Sequence, residues 1–526
     1  LPSEVDYLRL LRIFFWIVLI ICSNLQMIFF ASWANAFAVL TVILAWGLLS
    51  STILQRQVLY TYPLSSFLIL GYTATHFFFP LVFTLLEGKP VIFNLDVPYE
   101  VFTHSLLALL VLFVAHLIYR RIKHYIQPGL QGLLLKAGLF RPPTSLQLWM
   151  MGLMGLIAMY YVYFYSPSVG RVIAGVGGDE TPFDKIIQAL IPFSYAPFFL
   201  LLGPMFGKKQ KNGLSVYLLL GLFVVALFFV SLGRNSRGAF MMGFASLGFA
   251  FGLGLLLNMI RIRLFTFKNT LIVISILWFV TSPLADLATA MVIVRGQRDD
   301  ISRMELVMRT LEAFHDKEAI SRIREKSSLL DNKWDEYYLD NVFLARFSNL
   351  KFNDVSLLLA TKINQSDESL LYFSAERLVS TLPGPFLNYL GINVDKTFVY
   401  SVSFGDYLFY RATGINEILG SFASGHFSGT GMAAFGWWYL FWLGVFIIPA
   451  YLLLDSLSIR LIQSKYSFNH IRFSLSILML FTYVFMFLPK ESIVQIGSYV
   501  LREWIQMVLF YLIVYQCTRI FNLKFK

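Results

Sequence analysis

The residues best suited to chemistry are arginines in places where a membrane protein has little reason to keep them. The run Ser231-Leu232-Gly233-Arg234-Asn235-Ser236-Arg237-Gly238 joins two apolar stretches with no room for a soluble loop. Arg237 would open a helix there, so its guanidinium fork and the helix dipole would together attract a phosphate. The plain competing reading of Arg234 and Arg237 is two cations snorkelling to lipid head groups. Arg295 and Arg298 directly follow another apolar stretch, and they either serve a site, anchor at the interface, or pair with Asp299 and Asp300. Arg346 lies in Phe343-Leu344-Ala345-Arg346-Phe347-Ser348-Asn349, an apolar frame able to hold its head in place. Its structural alternative is an ion pair with Asp340 or Asp354. Arg377 is a further cation of the same region.

Groups able to take a proton are Asp299, Asp300, Asp354, Glu491 and His426. His426 belongs to the run Ser424–Met432, rich in glycine and serine, a backbone that lets a substrate come close. A helix-capping or packing histidine is the alternative. Glu491 follows Lys490 at the end of an apolar stretch and has that lysine or a loop arginine as partner. Asp286, after Ser282-Pro283, is an intramembrane carboxylate; about 2.5–3.5 kcal/mol on insertion scales obliges it to face a wet cavity or an arginine, and a snorkelling or cap-buried acid is the alternative. His315 reads as a solvated face, and Tyr160, Tyr161, Tyr163 and Tyr165 as an interfacial belt. The polar interval contains no metal-ligand spacing, and neither a metal nor another cofactor is expected.

These residues must be positioned by membrane helices. The chain has 526 residues, 57% apolar and only 14% charged, where soluble domains average about 25% charged. Apolar runs predict an all-α polytopic protein with about twelve spans, near 10–31, 36–54, 60–86, 101–119, 147–165, 187–206, 214–232, 238–257, 270–293, 433–455, 472–489 and 501–519. The first has no small-residue cleavage site and reads as a retained helix. Cys22 and Cys517 both fall in spans, so no disulfide framework is implied.

The one long polar interval divides the chain into spans 1–293, a cap at 294–432, and spans 433–526. Roughly 140 residues of this composition cannot lie in lipid. Within the cap, Ile301, Met304, Val307, Met308, Leu311 and Phe314 recur at helical spacing and predict an amphipathic helix at the interface. Pro383-Gly384-Pro385 predicts a turn. With the N-terminus cytoplasmic, twenty of the 42 basic residues fall in inner loops and seven in short outer ones. The positive-inside bias therefore puts both termini inside and the cap outside. The net charge of +12 is accounted for by these loops and by anionic head groups, so no nucleic-acid partner is expected.

The Gly233-Arg234-Asn235-Ser236-Arg237-Gly238 run resembles the Ser/Thr-Arg-Gly/Ala signature of bacterial O-antigen and repeat-unit polymerases of the Wzy type, and of the related O-antigen ligases. The late outer loop, the Pro383-Gly384-Pro385 turn, the glycine run Gly420–Gly436 before the next span and Lys490-Glu491 ahead of the last one are similar in order. The resemblance runs from about residue 210 to the end. Arg237 and Gly248 also fit an arginine–glycine spacing of some members, whereas Lys490 stands where the family has arginine, which weakens bidentate phosphate binding there.

The resemblance implies a GT-C-like fold in the bacterial inner membrane with a periplasmic active site. It implies a metal-independent glycosyltransferase that moves a growing glycan from undecaprenyl pyrophosphate onto an incoming lipid-linked repeat unit, building surface polysaccharide such as O-antigen, common antigen or capsule. Its partners would be the lipid-linked donor and acceptor, membrane lipids, a chain-length regulator and a flippase. Cations would stabilise the leaving pyrophosphate: Arg237, Arg346 and Arg298, then Arg234, Arg295 and Lys490. A base among Glu491, His426, Asp299 and Asp354 would take the acceptor's proton. The alternatives are an O-antigen ligase, which transfers to lipid A core, and a transporter of lipid-linked glycans. A transporter would show repeated halves and midplane charges, and here the halves differ.

Overall fold

The computed structural model describes residues 6–165, 182–208, 213–233, 237–260, 266–294, 301–326, 335–364, 366–461, 470–486 and 491–524. They are almost wholly helical. Among the described residues nine helices are long and apolar enough to cross a membrane: Tyr7–Phe29, Trp33–Thr52, Pro63–Leu86, Pro98–Ala137, Ser145–Phe164, Phe183–Phe206, Leu214–Leu232, Trp438–Asp455 and Val494–Ile520. Polar caps set several of their starts. Ser32 accepts from Asn35 N, and Thr144 and Gln147 form a reciprocal capping box.

The three other expected spans take different forms. Residues 238–257 correspond to the helix Arg237–Leu256. The expected span 270–293 breaks after Thr281, and a second helix, Pro283–Val294, starts on the proline. Proline has no N–H to continue the first helix but suits the opening turn of the next. The expected span 472–489 begins as a strand, His470–Phe473, which pairs antiparallel with Ser458–Leu461. Two one-turn helices, Leu475–Met479 and Phe481–Phe485, follow.

Burial ranks the spans. The most apolar part of Pro63–Leu86 is 72% buried, against 17% for Leu214–Leu232, so the former is the central post and the latter faces lipid. The post is packed through Gly71, where a Cβ would lie 2.0 Å from the Phe485 carbonyl oxygen, and through Phe67 stacked on Phe481 at 4.7 Å. It contains one π-helical turn, Ala74–Phe78. The helix Pro98–Ala137 packs alongside; its 40 residues give about 60 Å, twice the hydrocarbon thickness, so one end projects well beyond it.

The cap is a set of short helices. Arg303–His315 forms where the apolar spacing predicts it, but its stripe divides. Val307 packs with Leu284, Leu287, Met291 and Phe343, while Met304 and Met308 stay exposed. Pro383-Gly384-Pro385 opens the one-turn helix Gly384–Tyr389 rather than a free turn, since the prolines occupy positions where no helical N–H is required.

Candidate functional site

The cap does not merely sit on the bundle; one segment dives into it. At the end of the central post, Glu87 accepts the backbone N–H groups of Asp340 (2.8 Å) and Asn341 (3.0 Å). Eight residues further on, Asn349 N donates to the Thr75 carbonyl at 3.1 Å. Thr75 lies eleven residues before Leu86, about 16 Å down the helix. That carbonyl is free for a local reason. In the π turn Phe79 N bonds Ala74 O, so the next donor in register would be residue 80, and Pro80 has no N–H.

Between those anchors, Asn341 caps the helix Val342–Arg346 by accepting from Phe343 N and Leu344 N. Phe347 inserts its ring against Phe79 (6.4 Å) and Phe249 (5.9 Å), which in turn contact Phe485 at 6.1 and 3.9 Å. Phe79 lies about 10 Å below the end of the post. Arg346 is therefore held at that depth by buried neighbours, yet it is exposed. The two acids that might have paired with it are engaged elsewhere: Asp340 with Lys89 (2.9 Å) and Asp354 with Lys351 (3.0 Å). Immediately after it, Ser348 Oγ and Asn349 Oδ1 are buried without a hydrogen-bond partner.

Glu491 lies beyond Phe485 on the same chain segment. Its carbonyl accepts from Thr430 Oγ1 at 2.7 Å, and its N–H donates to Gln495 Oε1 at 3.2 Å. The cap supplies it with a cation. Arg377 is half-buried, with its guanidinium 4.8 Å from the Tyr400 ring and hydrogen-bonded to the Val399 carbonyl. Burial pulls Arg377 below its ordinary pKa, and Tyr400, Glu491 and Glu503 oppose that pull. Thus Arg377 and Glu491, expected separately, share one electrostatic environment, joined by Glu503, which the sequence did not single out.

The other acid–base candidates have structural surroundings. His426 is 2% exposed and caps the helix Phe427–Phe435, its Nδ1 accepting from Ser428 N at 3.2 Å. Its Nε2 meets His76 Nε2 at 2.9 Å. The neighbouring glycines serve packing, since a Cβ on Gly429 would lie 2.2 Å from the Ser356 backbone. Asp354 is fully buried, accepts from Val97 N at 2.8 Å, and belongs with Asp96 and Asp335 to a group around Lys351. Burial alone would depress Lys351, but Asp354 and its neighbours outweigh it and hold the ammonium above its usual range.

Asp286 is not in mid-helix. It stands in the first turn of Pro283–Val294, where the dipole favours an anion, and pairs with Lys317 at 2.7 Å. Sequence reasoning missed Asp406 altogether. This buried carboxylate accepts from Gly420 N, Ser421 Oγ, Phe422 N and Ala423 N at 2.8–3.2 Å, fixing the loop that leads to His426. The signal was legible, because Ser403 and Asp406 form a capping box.

Arg234, Arg295, Arg298, Asp299, Asp300 and Lys490 lie outside the described residues. Arg237 is the first residue of its helix, as expected, and its side chain lies outside them too. Gly248 meets no atom within 4 Å of an added Cβ, so packing does not demand glycine there. Among the described residues, no three His, Cys, Asp or Glu side chains group as metal ligands would. Comparison with known proteins finds no matching family model, no matching curated protein and no matching solved structure.

Proposed function

We propose that this protein is a membrane glycosyltransferase that polymerises undecaprenyl-pyrophosphate-linked repeat units at the periplasmic face of the inner membrane, with both termini cytoplasmic. The observation that carries this reading is Arg346: an exposed arginine next in the chain to the half-buried Phe347, whose ring packs on Phe79 about 10 Å below the mouth, and free of the acids Asp340 and Asp354. A cation so placed is poised for an anionic head group entering from the membrane side. The adjacent buried Ser348 Oγ and Asn349 Oδ1 are suited to a hydroxylated ligand.

In the proposed reaction an acceptor hydroxyl oxygen bonds to the anomeric carbon of the donor sugar as the bond from that carbon to the pyrophosphate oxygen breaks. Arg346, with Arg237 at its helix N-terminus, stabilises the charge gathering on the departing lipid pyrophosphate. Glu491 takes the hydroxyl proton, and Arg377 balances its charge before that transfer. His426 and Asp354 are assigned to the scaffold in this scheme, because both are buried and hydrogen-bonded.

The test is polymerisation of a purified lipid-pyrophosphate repeat unit by the full-length protein. Laddering that disappears in Arg346→Ala and Glu491→Gln supports the reading. Laddering that survives both, or none in the parent protein, removes it.

A further inference from the structure

A second site lies at the opposite end of the molecule from the cap. The helix Pro98–Ala137 starts beside the cap, with Asn353 Nδ2 donating to Val101 O. Lys123, twenty-five residues after Pro98, is then about 38 Å further along, past the hydrocarbon and at the far interface. There a cavity of about 360 Å³ opens between this helix and the hairpin formed by Ser458–Leu461 and His470–Phe473. Lys123, His124, Gln127, Gln131 and Arg460 line it together with Pro128, and among the described residues no acid does.

The polar groups are arranged as donors. Gln127 is only 4% exposed, yet its Nε2 has no hydrogen-bond partner. An amide donor buried in that state is costly unless something else accepts from it. Lys123 lies 3.9 Å from Asp455, but that carboxylate is already served by Leu64 N, Ser65 N, Ser65 Oγ and Tyr119 OH at 2.7–3.1 Å. Lys123 and Arg460 thus share one satisfied acid, and the pair carries one positive charge in excess. Arg460 Nε donates to Tyr60 O at 3.1 Å, which fixes the plane of its guanidinium at the rim. Pro128 contributes differently: lacking an N–H, it leaves the His124 carbonyl without its helical donor.

We infer that this cavity binds the phosphoryl group of an anionic phospholipid head group, with Lys123 and Arg460 meeting the charge and Gln127 Nε2 donating to a phosphate or glycerol oxygen. The position at the membrane interface and the apolar part of the lining, Leu135, Ile459 and Ile471, favour a lipid over a soluble anion. This site is independent of the glycosyl-transfer reading.

The test uses the full-length protein in a neutral detergent, titrated with dioleoyl phosphatidylglycerol, dioleoyl phosphatidylcholine, or glycerol 3-phosphate, with thermal unfolding and native mass spectrometry as readouts. Phosphatidylglycerol is expected to bind and to raise the unfolding midpoint, and phosphatidylcholine to do neither. Gln127→Leu and Arg460→Gln should each weaken that binding about tenfold, the loss of one charge-assisted hydrogen bond. Gln127→Leu should leave the lipid-free protein as stable as the parent, which separates ligand loss from misfolding. Lys362→Gln, in the cap, removes the same charge as Arg460→Gln and should change nothing. Equal binding in all variants, an equal loss in Lys362→Gln, or no preference for phosphatidylglycerol overturns the proposal. A response to glycerol 3-phosphate equal to that of the lipid keeps the phosphoryl site but overturns the lipid as its source.

Discussion

The imidazoles of His76 and His426 meet Nε2 to Nε2 at 2.9 Å inside the protein, one from the π turn of the central post and the other from the cap. Their proton positions follow from the surrounding donors. Ser428 N–H occupies His426 Nδ1, so His426 carries its proton on Nε2 and donates it to His76. His76 must then be protonated on Nδ1, which faces the Tyr72 carbonyl at 3.0 Å. Both rings are neutral in this chain, and it ties cap to bundle without charge.

His426→Ala is therefore expected to destabilise the protein by about 2 kcal/mol, from a lost helix cap and an unpaired buried ring. His426→Asn, which can still cap, should cost less. Chemical unfolding in detergent measures both. Turnover abolished at unchanged stability would return His426 to the list of bases.

Arg346 has the opposite signature. Because it is exposed and its candidate acids are paired with lysines, Arg346→Ala should shift stability by less than about 0.5 kcal/mol. Polymerisation should fall about 100-fold, as when one donor to a developing oxyanion is removed. Arg346→Lys should recover only part, since an ammonium cannot bind two phosphate oxygens in the fork geometry. Single-turnover assays beside unfolding curves separate the two effects.

Asp406 predicts a loss of stability far from any reacting atom. Its replacement by alanine leaves three loop N–H groups, those of Gly420, Phe422 and Ala423, without their acceptor. The expected cost is about 3 kcal/mol, with proteolysis appearing between residues 414 and 426. Cleavage unchanged from the parent would contradict the anchoring role.

Asp367 gives the cap an acid-sensitive contact. Its carboxylate accepts from Ser369 and from Arg411 Nη2 at 2.6 Å, and these hydrogen bonds lower its pKa from 3.8 to about 2. A folded-state pKa below the unfolded one means stability that is present above pH 3.8 and is lost as pH falls toward 2. Asp367 is half-buried and its partner Arg411 exposed, so solvent screens the pair and the effect is modest. Asp367→Asn should lower stability by a constant amount above about pH 5 and flatten the profile between pH 3.8 and 2; identical acid limbs would disprove it.

Much of the architecture was legible because hydropathy reports burial in lipid directly. The run 214–232 and the helix Leu214–Leu232 coincide. Breaks within apolar runs were harder to read, since a stretch such as 270–293 has the same hydropathy whether or not Pro283 divides it. The site was legible only in part. Residue type and frame picked out Arg346, but nothing local told that Asp354 would accept from Val97, or that Thr430 would hold Glu491. Those pairings join residues far apart in the chain. Glycines misled in a particular way: the run around His426 reads as room for a ligand, and a neighbouring helix backbone fills it.

The π turn at Ala74–Phe78 contains, in effect, one residue more than an ordinary helix needs. Deleting Ala74 would return the post to α register, where the Phe79 N–H, four residues after Thr75, takes that carbonyl and releases Asn349. The same deletion would swing every later side chain of that span by about 100°. How deeply the cap is moored is thus written in a membrane span, and a one-codon change in that span would lift the whole polar insert without touching its own sequence.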